Sequence, residues 1–183
     1  MTDQHVCPAA ESGWLVSPVR RLFNNPRRIL AGLVHPGDVV IDLGCGPGYF
    51  TLPLAGMVGD AGQVIAVDIQ REMLGALRLR AEQAGVASRI RLWRSGPEGL
   101  GTLGPADFAL AFWMVHEVPD QAGFLAQVHD SLKPQGLFLL VEPRGHVGKA
   151  RFTDTVRLAE EAGFVREARP RVGFSRAALL RRG

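Results

Sequence analysis

From about residue 37 onward, short apolar runs alternate with stretches of helical period. The runs are DVVIDL (38–43), QVIAVD (63–68), RIRLW (89–93), DFALAFW (107–113) and GLFLLVE (136–142). Near-continuous apolar strands of this kind are buried on both faces, as in a parallel sheet covered by helices. Between them, Met73, Leu74, Leu77, Ala81 and Ala84 share one face of a helix over 70–84 that Gly85 closes. Phe124, Leu125, Val128 and Leu132 mark another over 120–132, stopped by KPQG. Strand and helix in alternation predict a doubly wound, mostly parallel α/β sheet.

Two regions break the alternation. Residues 1–36 contain SPVRRLFNNPRRILAGLV, which predicts two short helices, the second capped by Asn25 with Pro26 at its first position. After residue 143, RGHVGKARF leads into a helix over 152–162 ending at Gly163. The closing GFVREARPRVGFSRAALLRR has no helix between its two extended runs, so it predicts a C-terminal antiparallel hairpin with Pro170 near the turn. A chain of 183 residues is most economically a single fold unit. We divide it into an N-terminal helical lid (1–36) and a ligand-binding domain (37–183).

Composition narrows the function classes. No segment approaches the roughly 18 apolar residues that cross a bilayer, and Asp3 and Glu11 interrupt the first fifteen residues, which argues against a secretory leader. Two cysteines, Cys7 and Cys45, do not make a disulfide framework and point to a reducing cytoplasm. The net charge of +3 is carried almost wholly by arginine, including the pairs Arg20-Arg21, Arg27-Arg28 and Arg181-Arg182. This reads as a solvated surface. Aromatic residues make up 7% of the chain and no basic–aromatic block occurs, so nucleic acid is a minor option as partner.

The motif with most chemistry is VVIDLGCGPGYF (39–50). Ligands of open parallel sheets bind beyond the carboxyl ends of the strands, where this glycine loop lies. Gly44 allows the tight turn, Gly46 lets the backbone approach a ligand, and Gly48 opens a helix. A dinucleotide loop, G-x-G-x-x-G, has its third glycine three residues after the second; here the step is two and Tyr49 takes the glycine position. Asp68 ends the second strand twenty residues after Gly48, where a carboxylate can accept hydrogen bonds from both ribose hydroxyls. The alternative is an aspartate that caps the following helix. Adenosine is implied, without a pyrophosphate turn.

With VIDLGCGPGYF, VIAVDIQREML, DFALAFWMVHEV and LKPQGLFLLVEP in order, the chain resembles the class I S-adenosylmethionine-dependent methyltransferases, small and of the type 11 kind, from about residue 37 to the end. The resemblance implies a Rossmann-like methyltransferase fold, a seven-stranded sheet with a final antiparallel hairpin, and S-adenosylmethionine as cofactor with S-adenosylhomocysteine as product. It implies that Gly44, Gly46 and Gly48 contact the methionine part and ribose, with Cys45 a small residue inside the turn. Asp42 would orient the loop and face the cofactor's amino group, and Asp68 would bind the ribose hydroxyls. Ile69 would lie against the adenine with Met73 nearby. Ser95 and Gly96 stand where many members carry an adenine-binding aspartate, and Phe112 and Trp113 would wall the methionine end.

MVHEVPD (114–120) follows the fourth strand, at the mouth where the methyl group emerges. His116, with an ordinary pKa near 6.5, suits a general base, and Glu117 suits orienting its imidazole or binding a cationic acceptor; a structural histidine is the alternative. Glu142, Arg144 and His146 would share that rim. No His, Cys or Glu pair has a diagnostic metal spacing, so no metal is assigned. Residues Trp14, Leu15, Leu22 and Phe23 would pack over the rim as a lid, which favours a small-molecule acceptor. The expected enzyme is a cytoplasmic methyltransferase, monomeric or homodimeric. A non-catalytic S-adenosylmethionine-binding module and an NAD(P)-dependent oxidoreductase are the alternatives.

Overall fold

The structure, a computed structural model, describes residues 24–96 and 99–183. The apolar runs form β1 (Val39–Leu43), β2 (Gln63–Asp68), β3 (Ile90–Arg94), β4 (Ala106–Phe112) and β5 (Leu132–Pro143), and the closing hairpin forms β6 (Phe164–Ala168) and β7 (Ser175–Arg182). They make one seven-stranded sheet in the order β3-β2-β1-β4-β5-β7-β6. β1 to β5 pair in parallel, and β7 is antiparallel to both β5 and β6. Strand order turns back between β1 and β4, so the ligand crevice opens beyond Leu43 and Phe112.

Period-two alternation sends neighbouring residues to opposite faces. Ile41 and Leu43 join one core cluster and Val40 the other, and all three are buried. Helices cover both faces: α1 (Pro26–Leu30), α2 (Thr51–Val58), α3 (Arg71–Gln83), α4 (Gln121–Asp130) and α5 (Lys149–Glu161). Leu30 of α1 with Leu54 and Val58 of α2 pack on Val40 and Phe108. Phe124 and Val128 of α4 with Val156 of α5 pack on the other face. The cap expected at α1 is present: Asn25 Oδ1 accepts from the Arg27 amide at 3.0 Å, with Pro26 next. The first of the two expected N-terminal helices, and Trp14, Leu15, Leu22, Phe23 and Cys7, lie outside the described residues.

Three expectations need correction. α4 ends at Asp130, and KPQG interrupts a strand rather than stopping a helix. Ala106 pairs with Leu132 and Phe108 with Leu137, so residues 133–136 form an excursion within β5. That excursion places Lys133 Nζ 2.7 Å from Asp107, whose other oxygen accepts from the Val39 amide at 2.9 Å, tying the starts of three strands together. Ala84 is exposed beyond the end of α3, where Met73, Leu74, Leu77 and Ala81 form its buried face. The fifth helix begins at Lys149, three residues before the expected start at 152.

Candidate functional site: the carboxyl edge of the sheet

The glycine loop leaves β1 with three glycines at positive φ, and each meets a different constraint. At Gly44 (φ +67°) a Cβ would stand 2.9 Å from the Met114 side chain, and at Gly48 (φ +94°) 2.4 Å from Leu77 Cδ1. At Gly46 (φ +51°) a Cβ would meet no atom within 4 Å. The loop is therefore pressed against protein at its two ends and faces open space at its centre. Gly48 stands just ahead of α2: its carbonyl accepts from Leu52 N at 3.2 Å, and its lack of a Cβ gives clearance beneath α3.

Polar contacts hold the loop in place. Gly46 N donates to Asp68 Oδ2 at 2.9 Å, and Gln70 N to Asp68 Oδ1 at 2.9 Å. Asp68 thus grips both the glycine loop and Gln70, the residue that precedes α3, without supplying a side-chain cap to that helix. Burial raises its pKa, while these amide bonds oppose the rise. Asp42, 2% exposed at the end of β1, accepts from Thr51 Oγ1 at 2.6 Å. Arg80 Nη1 donates to the Pro47 carbonyl at 2.5 Å, and Tyr49 Oη to the Asn24 carbonyl at 2.9 Å. Cys45 is buried among Ala66, Leu74 and Leu77, and burial pushes its thiol well above the usual range, leaving it an uncharged filler. Met73 is buried, Ile69 is 40% exposed, and Ser95 N donates to the Asp68 carbonyl. Gly96 bridges to Gly99.

Beyond β4 the chain turns through Trp113, a non-glycine residue at φ +64°. Its indole Nε1 donates to Ser175 Oγ at 3.0 Å, and its ring lies 5.2 Å from Phe112, which stacks in turn on Phe50 of the loop at 4.4 Å. A short 3-10 turn, Val115–Glu117, then presents His116. Glu142, 1% exposed near the end of β5, accepts from the His116 amide at 2.9 Å with one oxygen and bonds Nδ1 at 2.7 Å with the other. An acceptor-only carboxylate fixes the proton on Nδ1, so Nε2 carries the lone pair in the neutral ring. The Glu142 hydrogen bond raises the His116 pKa, against the opposing effect of burial. Glu142, rather than Glu117, therefore orients the imidazole. Glu117 lies 3.9 Å from Nε2, and burial raises its pKa. The His146 ring is 6.0 Å from that of His116, as the shared rim predicts. Arg144 instead donates to the Ser175 carbonyl. Among the described residues no group of three metal-ligating side chains assembles.

Sequence reasoning missed Thr51, Arg80 and Ser175, each of which acts through a contact that no local motif announces.

Residues 40–136, just over half of the chain, match the family described as methyltransferase domain. The chain belongs to the class I S-adenosylmethionine-dependent methyltransferases. Among curated proteins, it is 37% identical over 103 residues to a ubiquinone biosynthesis O-methyltransferase of Paramagnetospirillum magneticum, covering 56% of this chain and 39% of that one. It is 31% identical over 113 residues to a ubiquinone/menaquinone biosynthesis C-methyltransferase of Marinomonas sp., covering 60% and 44%. The chain thus spans about two fifths of the length of the curated relatives it matches. The fold matches an S-adenosylmethionine-dependent methyltransferase from Aquifex aeolicus with a TM-score of 0.85 at 20% identity, over 96% of this chain and 98% of that one. The open centre of the glycine loop fits S-adenosylmethionine, the cofactor by which this family is named: a close backbone approach backed by a carboxylate. Among the described residues no helix is long and apolar enough to cross a membrane.

Proposed function

We propose that this methyltransferase acts on a small organic acceptor whose nucleophilic atom loses a proton to His116. The observation that carries the reading is the 2.7 Å bond from the buried Glu142 to His116 Nδ1 at the carboxyl ends of β4 and β5. A buried carboxylate fixing one imidazole nitrogen leaves the other positioned as a base. When bound, S-adenosylmethionine supplies an electrophilic methyl group, so the protein's tasks are alignment and proton removal. Alignment alone is worth up to about 7–11 kcal/mol for well-oriented partners.

Gly44, Gly46 and Gly48 with Asp42 hold the methionine end of the cofactor. Asp68 keeps lone pairs for the ribose beyond its two amide bonds, and Ile69, Met73, Ser95 and Gly96 surround the adenine. Phe112 and Trp113 close the methionine end, and Glu117 lies beside His116 to meet the acceptor. The cytoplasm is the setting. The similarity to quinone-pathway O- and C-methyltransferases supports a small aromatic hydroxyl compound as acceptor class.

The test is turnover of His116→Ala on a panel of small phenols and hydroquinones with saturating cofactor. A general base is worth about 10²–10⁴ in rate, so kcat falls by that factor while S-adenosylhomocysteine affinity holds. Full turnover by the variant overturns the assignment.

A further inference from the structure

A second cavity, of about 400 Å³, lies between α5 and the β6–β7 hairpin. Its size is that of a small-molecule site. Its charge is one-sided. Arg144, Lys149, Arg166, Arg169, Arg171 and Arg176 line it, and no aspartate or glutamate does. Phe152 and Val156 of α5, with Val172, supply an apolar wall.

These cations are poorly neutralised by the protein. Arg166 is paired, its Nη2 2.7 Å from Glu160. Among the described residues, Lys149, Arg169, Arg171 and Arg176 make no ion pair. The Nε atoms of Arg166 and Arg176 are buried with no hydrogen-bond acceptor. Glu142 sits directly across the strand pair from Arg176, yet both of its oxygens are engaged by His116. Like charges held around one cavity repel, and buried guanidinium donors without acceptors cost free energy. An anion with several acceptor oxygens relieves both. The planar guanidinium fork matches phosphate oxygens two at a time, and the Phe152–Val156 wall suits the apolar body that carries them.

We propose that this cavity binds a phosphate-bearing ligand of nucleotide size, at a site separate from the cofactor crevice. The two sites adjoin. Ser175 lines the cavity and its hydroxyl accepts from Trp113 at the end of β4. The phosphate belongs either to a free phosphomonoester or to the backbone of an RNA strand, and the chemistry of the cavity is the same for both.

The test is calorimetric titration of the whole chain with inorganic pyrophosphate, uridine 5′-monophosphate, uridine and oligouridylate of twelve nucleotides. None contains adenosine, so the cofactor crevice does not confuse the result. The comparison is the double variant Arg169→Ala/Arg171→Ala. Both arginines are exposed, and circular dichroism confirms folding without reliance on cofactor binding. The expected result is that the monophosphate binds and uridine does not, with affinity at least about tenfold weaker in the double variant and falling as salt rises. Binding by oligouridylate alone, lost in the variant and steeply salt-dependent, also supports the site and assigns the phosphate to RNA. Absence of binding by every phosphate probe overturns the proposal, as does binding that the variant leaves unchanged.

Discussion

The two halves of the crevice are built by different means. On the β1–β3 side, backbone makes the surface: glycine φ values, amides donating to Asp68, and carbonyls held by Arg80 and Tyr49. On the β4–β5 side, side chains make it, and their partners are distant in sequence. His116 meets Glu142 across 26 residues, Gln121 meets Thr155 across 34, and Trp113 meets Ser175 across 62. A backbone-built surface can hold one invariant ligand and cannot change without breaking the turn. A side-chain-built surface can be altered one residue at a time. The first suits the methyl donor; the second suits an acceptor that differs from one enzyme to the next.

The sharpest test of the backbone half lies within the loop itself. Gly48→Val puts Cβ at 2.4 Å from Leu77 Cδ1 in a left-handed backbone. Overpacking together with the conformational penalty costs about 3 kcal/mol of stability, read as a fall in the urea midpoint. Gly46→Ala, with no atom within 4 Å of the added carbon, costs only about 1 kcal/mol of stability but weakens S-adenosylhomocysteine binding in calorimetry. Equal losses of stability and affinity in both variants would erase the distinction between packed and open glycines.

This division also explains what was legible beforehand. The positions of the five parallel strands, the final hairpin and the Asn25 cap were readable because each depends on local periodicity or on one or two adjacent residues. The glycine loop was readable because positive φ excludes other residues at close spacing. KPQG was misread because a local helix-stop signal cannot reveal that Lys133 reaches Asp107 on a neighbouring strand. Glu142 was placed on the correct rim, but its pairing with His116 follows from the register of β4 against β5, where Phe112 opposes Val141. No spacing rule contains that register. The cationic cavity was invisible for the same reason, since its arginines come together only when the hairpin folds onto α5.

Asp68 joins the two descriptions, because it is a side chain serving the backbone half. Asp68→Ala removes the proposed ribose acceptor and leaves the Gly46 and Gln70 amides without their partner. Cofactor affinity falls by about 1.5–3 kcal/mol, the range for hydrogen bonds to a charged group. Unchanged affinity in calorimetry would mean that the carboxylate serves the loop and helix entry alone.

For the side-chain half, Glu142→Gln is the corresponding change. The amide retains an acceptor for the His116 backbone but offers Nδ1 a donor, so the neutral ring moves its proton to Nε2 and loses its base. The kcat falls about tenfold to a hundredfold, ~1.4–2.7 kcal/mol of barrier. The pH dependence moves too. With its pKa raised by Glu142, His116 in the wild type is a base only above that raised value, so activity climbs through it. The same pair stabilises the fold fully below the ordinary histidine pKa of about 6.5 and loses that contribution as pH rises through the raised one. Glu142→Gln abolishes this pH-dependent increment and shifts the ionisation of His116 downward. Stability measured from pH 5 to 9 that declines identically in both proteins would break the pair.

The smallest effect belongs to Arg151, which touches the turn from α5. Its Nη2 donates to the His116 carbonyl at 2.8 Å, and its positive charge opposes protonation of the imidazole. The side chain is exposed, so water replaces the bond and salt screens the charge. Arg151→Ala therefore lowers kcat by less than about twofold, ~0.4 kcal/mol, and moves the His116 limb slightly toward higher pH because one repelling cation is gone. A shift that shrinks as ionic strength rises from 0.05 to about 0.5 M identifies the charge as its cause. A large loss of kcat with no movement of the limb would instead make Arg151 a strut for the Val115–Glu117 turn, and would show that the side-chain half also depends on a held backbone.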